Sequence, residues 1–143
     1  MEQTIEFQIP EGYVFDKDNS TENVIRFKPI KKKVTYEDII KKLYPGKCYY
    51  INNNHTSERQ ISQLLYLNKL MNVAKYLNGD WEPDWNNTNE DKFYICCLFG
   101  KLSTCKKQRA NHGCAAFKSE KLAYQAIEIL GEEAVKIAFG VFD

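Results

Sequence analysis

A chain of 143 residues with a formal net charge of +1 and 27% charged side chains has the length of one domain. That balance excludes disorder driven by self-repulsion, and it excludes a uniformly basic nucleic-acid coat or an acidic mimic of one. With 43% hydrophobic and 13% aromatic residues the chain carries enough apolar surface for a core.

Residues 4–9 alternate polar and apolar, with Ile5, Phe7 and Ile9 on one face, as in a half-buried strand. Pro10-Glu-Gly12 breaks the run, residues 13–15 are short and extended, and residues 16–23 form a polar turn. Alternation returns over 24–28, and Pro29 ends the ladder or marks an edge, so residues 4–28 read as a β-hairpin-like unit. After the basic hinge of residues 31–33, Thr35 and Asp38 form a capping box for a short helix over 36–43, stopped by Tyr44-Pro45-Gly46. Residues 48–51 read as a short strand and 52–55 as loop. Ser57 and Gln60 cap the longest helix, 58–78. Its Leu64, Tyr66, Leu67, Leu70, Met71, Val73, Ala74 and Leu77 fill about half of the helical wheel, with Asn68, Lys69, Asn72, Lys75 and Tyr76 on the other half. Asn78-Gly79 ends it.

Residues 80–91 read as an acidic loop with two tryptophans, 92–99 as a buried-type strand, 100–112 as a polar, basic connection, and 113–117 as a pairing strand. Ser119 caps a helix over 120–130, Gly131 interrupts it, and 132–139 continues as a terminal helix. The expected fold is α+β in a single domain, 1–143, with the hairpin-like unit 4–28 and a core over 35–143. A small, mainly antiparallel sheet (4–9, 24–28, 93–99, 113–117) packs against one long central helix and the C-terminal helices.

The longest apolar run, residues 93–99, falls far short of the roughly 20 residues that span a bilayer. The N-terminus lacks a basic segment followed by an apolar one, so neither a membrane nor an export route is expected. Five cysteines, at 48, 96, 97, 105 and 114, are odd in number and contain no C-x-x-C, which fits reduced thiols better than a disulfide framework.

Several segments carry a resemblance. Ile9-Pro-Glu-Gly-Tyr13, the 24–29 strand, Trp81-Glu-Pro-Asp-Trp85 before residues 92–95, and Phe117-Lys-Ser-Glu-Lys-Leu-Ala123 resemble segments of small uncharacterised proteins of gut Bacteroides-type bacteria and of their phages and mobile elements. The resemblance implies origin and fold; the group has no assigned activity, so it transfers no functional residue. Reduced thiols and the missing export signal lead to an expected location in the cytoplasm, here of a bacterial host cell, with association to a virion as the alternative.

The most distinctive chemistry lies in residues 80–91. Oxygen-bearing side chains at 80, 82, 84, 86 and 91 loosely follow a calcium loop, yet Trp85 replaces the turn glycine and Asp91 the bidentate glutamate. The indoles can instead pin the loop over the helix end, or anchor a partner, as tryptophan does at hot spots. Cys96, Cys97, Cys105, His112 and Cys114 fail the spacing of zinc templates, and adjacent Cys96 and Cys97 face opposite sides of a strand. A Cys–His nucleophile drawn from Cys48, Cys105 or Cys114 with His55 or His112 lacks an oxyanion-hole signature. No phosphate loop is present. No cofactor and no metal are therefore expected, and the chain leans away from an enzyme.

Residues 101–121 hold six basic residues against one acid, whereas 80–91 hold five acids and no base. The two blocks either neutralise each other across the fold or leave a basic strip able to grip single-stranded nucleic acid. The expected function is a non-enzymatic protein-interaction module, with Trp81, Trp85, Tyr49 and Tyr50 meeting an unknown protein partner. The alternative is a nucleic-acid-binding accessory protein using Lys101, Lys106, Lys107 and Arg109. A small-ligand-binding protein or enzyme is the weakest of the three.

Overall fold

The computed structural model describes residues 8–46, 57–108 and 115–142. The chain is α+β, and its backbone clusters into two units, residues 1–33 and 34–143. In the first, β1 (Tyr13–Phe15) pairs antiparallel with β2 (Phe27–Pro29), Val14 opposite Lys28. Asp16 organises the turn between them. Its carboxylate accepts from Asn19 Nδ2 at 2.7 Å and from Lys28 Nζ at 3.3 Å, and its amide donates to Arg26 O at 2.8 Å. Those hydrogen bonds, Asn19 first and then Lys28, hold its carboxyl below the usual aspartate value against the opposing effect of burial.

The strands of this unit differ from expectation. Gln8 and Ile9 are outside any strand, and the ladder uses residues 13–15 instead; residues 4–7 lie outside the described residues. The second strand starts at Phe27, because Thr21 and Val24 close a tight bridge of their own. It ends at Pro29, which has no N–H to continue the pairing.

The second unit is built around helices. Thr35 and Asp38 cap α1 (Tyr36–Leu43) reciprocally, and Ser57 and Gln60 do the same for α2 (Glu58–Asn78), so each side chain satisfies a backbone N–H that the helix start leaves open. Ser119 caps α3 (Glu120–Leu130), and α4 (Glu132–Ala138) follows after Gly131, whose φ of 89° ends α3 without the steric cost a side chain would bring. Helices α1, α3 and α4 all pack on α2. The buried core joins Ile39 of α1, Leu70, Val73 and Ala74 of α2, Ala123 and Ala126 of α3 and Val135 of α4 with Ile95 and Phe117.

Asn72 departs from its place on the polar half of the wheel. It is 92% buried, donating to Tyr36 Oη at 3.2 Å and accepting from Tyr44 Oη at 3.1 Å. It thereby ties α2 to both ends of α1. Leu64 and Met71, placed on the apolar half of the wheel, are exposed.

The sheet of this unit is a hairpin. β3 (Lys92–Leu98) pairs antiparallel with β4 (Lys101–Lys107), residue for residue from Leu98↔Lys101 to Lys92↔Lys107. The reading of 100–112 as a connection is therefore corrected over 101–107. Phe99 (φ 51°) and Gly100 (φ 74°) make the two-residue turn, both in the left-handed region that a type I′ hairpin requires. Within 113–117, Phe117 alone among the described residues pairs, in an isolated bridge to Phe93 with N···O distances of 3.0 and 2.8 Å. The strands thus lie in two two-stranded sheets. No helix among the described residues is long and apolar enough to cross a membrane.

Candidate docking groove at the tryptophan loop

Gly79 (φ 62°) turns the chain out of α2, and Asn78 fixes the exit. Its amide donates to Ala116 O at 2.8 Å and accepts from Lys118 N at 3.0 Å. The acidic loop of residues 80–91 then folds around one buried cation. Lys92 is fully buried. Its ammonium reaches Asn87 O and Glu90 O, both at 3.3 Å, and Glu90 Oε2 at 3.0 Å, which uses its three donors. It also sits 5.8 Å from the centre of the Trp85 ring, within cation–π range.

Glu90 is the second hub. Besides Lys92 it receives Trp81 Nε1 at 3.2 Å and the Asp84 amide at 2.9 Å. The hydrogen bond from Lys92 is the main reason its carboxyl lies below the usual glutamate range, with burial opposing and the Asp84 amide, the Lys92 charge and Trp81 assisting. Asp84 Oδ1 accepts from Asn86 N at 2.9 Å and Asn87 Oδ1 from Asn89 N at 3.0 Å, two side-chain-closed turns. Of the side chains that suggested a calcium loop, Asp84 and Asp91 spend carboxylate oxygens on the protein's own donors, Asn86 N for the first and Lys106 and Gln108 for the second. Among the described residues no group of three or more His, Cys, Asp or Glu is placed to hold a metal.

Braced in this way, the loop and α2 together line a groove of about 520 Å³. Trp81, Pro83 and Trp85 of the loop line it together with Met71, Tyr44 and Ala115. Trp85 is 48% exposed and Met71 44%. Asn68, Lys75 and Glu82 bring polar groups to the same groove, and Lys75 lies 5.9 Å from the Tyr44 ring centre.

Of the four residues expected to meet a protein partner, the structure places Trp81 and Trp85 together in this groove. Tyr49 and Tyr50 lie outside the described residues. Sequence reading missed Tyr44, Met71, Asn68 and Lys75. A signal existed for the last three, since positions 68, 71 and 75 share one face of the helix that ends at the loop.

The basic strip is partly engaged. Lys106 pairs with Asp91 at 3.3 Å, and Gln108 Nε2 donates to the same carboxylate at 2.7 Å. These hydrogen bonds, Gln108 first, hold Asp91 below the usual aspartate value. Lys101 and Lys107 are exposed on β4, and Phe99 at the hairpin tip is fully exposed. Arg109, His112 and Cys114, like His55 and Cys48, lie outside the described residues. No family model matches the chain, and neither a curated protein nor a solved structure is significantly similar to it.

Proposed function

We propose that the chain is a non-enzymatic protein-interaction module, of phage or mobile-element origin, that holds a segment of a partner protein in the groove between the tryptophan loop and α2. The observation that carries this reading is that half-exposed Trp85 and Met71 line one groove beside a loop held by the Glu90–Lys92 hub. Preformed apolar concavities with a few polar groups are the usual form of binding sites, and a braced loop loses little entropy on docking. The acidic loop's pairing with Lys92 and Lys106 favours this reading over the basic-strip alternative, which keeps Lys101, Lys107 and the exposed Phe99.

Both tryptophans of the chain line the groove, so their fluorescence reports its occupancy. The test selects peptides from a random display library on the folded chain and titrates the winners by tryptophan fluorescence. Binding that is lost in Trp85→Ala and in Met71→Glu, with both variants folded, and kept in Lys101→Glu supports the groove. Selected peptides that bind Trp85→Ala and Met71→Glu as well as wild type overturn it. Retention of oligonucleotides that falls steeply with salt and is abolished in Phe99→Ala moves the assignment to the hairpin.

A further inference from the structure

Two asparagines of α2, Asn68 and Asn72, line the groove one helical turn apart. Asn68 is exposed, and its amide has no hydrogen-bond partner among the described residues. Asn72 gives one N–H to Tyr36 Oη and accepts one from Tyr44 Oη. A primary amide can donate twice and accept twice, so a donor and an acceptor of Asn72 remain. Four residues along a helix rise about 6 Å, and residues i and i+2 of an extended chain repeat every 6.6–6.8 Å or about that. Two amides at this spacing match the backbone of an extended peptide, whereas a helical peptide has already paired its N–H and C=O groups within itself. Charge narrows the choice further. Glu82 and Lys75 both line the groove, and Asp80 and Asp84 flank Glu82 on the loop. All three carboxylates are exposed, and none is in an ion pair among the described residues. Three carboxylates against one ammonium leave the groove and the loop beside it acidic, while Trp81, Trp85 and Met71 keep its lining apolar.

We propose that the segment held in the groove is an extended, basic peptide, with lysine or arginine set among apolar residues. The proposal rests on the groove reading above and names the chemistry of its ligand. Asn68 and Asn72 hold the peptide backbone at residues two apart, through the amide groups that the fold leaves unused. Lysine and arginine carry apolar stems beneath charged heads. The stem covers the apolar lining, and the head reaches Asp80, Glu82 or Asp84. An acidic segment meets the same carboxylates as like charges, with Lys75 alone in its favour, and is rejected.

The test selects peptides on the full chain from a random display library, synthesises the winners and titrates them by tryptophan fluorescence. The winners are expected to carry net positive charge. Their binding weakens about tenfold in Glu82→Lys, falls as salt is raised, and weakens about fivefold in folded Asn68→Ala. Methylating the peptide's backbone nitrogens one at a time finds a position whose methylation weakens binding to wild type but has little further effect in Asn68→Ala, the signature of a shared contact. Neutral or acidic winners that bind Glu82→Lys as well as wild type, yet lose binding in Trp85→Ala, overturn the proposal and leave the groove reading standing. So do winners that become helical on binding by circular dichroism, or whose binding no backbone methylation weakens. Winners that bind Trp85→Ala as well as wild type, or a library that yields no binder, overturn the proposal and the groove reading together.

Discussion

The two ends of β3 are built on opposite terms. At its start a lysine is fully buried; at its end Phe99, in the turn, is fully exposed. Hydrophobicity alone would place them the other way round. Lys92 is inside because the loop before it delivers three oxygen acceptors and an indole face, which offset the cost of taking an ammonium from water. Phe99 is outside because a two-residue turn has no neighbours to cover it, and its φ of 51° adds backbone strain. Burial in this unit follows the supply of partners, and the end with the partners is the end that carries the groove.

The largest test of that contrast is Lys92→Ala. It empties the cage and leaves Glu90 without its cation, with an expected loss of about 3–5 kcal/mol in urea denaturation. A loss below about 1 kcal/mol would mean that the loop holds itself without the hub. Asn72→Ala applies the same rule inside the helical core. It strands the hydroxyls of Tyr36 and Tyr44 and should cost about 1–3 kcal/mol, whereas exposed Asn68→Ala should cost nothing measurable. At the other end of β3 the sign reverses. Phe99→Asn gives the turn the Asn-Gly pair that type I′ geometry prefers and should stabilise the chain by about 0.5–1 kcal/mol; destabilisation would show that the phenyl ring packs on something in solution.

The smallest effect is on the acid limb. Glu90 is held below the ordinary value of 4.5. The stability it contributes is therefore complete above that pH and fades as pH falls through its lower folded value. Lys92→Ala removes the main cause and should flatten the acid limb of the stability–pH curve, while Phe99→Asn should leave its shape unchanged.

The helices of the second unit were legible because their signals are local. Thr35/Asp38, Ser57/Gln60 and Ser119 mark helix starts by chemistry within one turn, and the observed starts agree. β4 was not legible. Residues 101–107 are mostly polar, and their turn uses Phe99 where Asn is the usual sign. The alternation of Leu102 and Thr104 against Ser103 and Cys105 was present but carried little apolar contrast. Asn72 was misplaced because its partners sit on another helix, beyond the reach of any wheel. The groove was half visible. Trp81 and Trp85 stand out by type and spacing and Met71 shares the helix face of positions 68 and 75, whereas Tyr44 joins them only once α1 packs on α2.

Asn78 holds residues 116 and 118 through its side chain, and Phe93 holds Phe117 through its backbone. The residues that lead into α3 are thus clasped twice, on either side of Phe117 to the end of α2 and at Phe117 itself to β3, so one side-chain amide and one backbone bridge set the start of the C-terminal helices against helix and hairpin together.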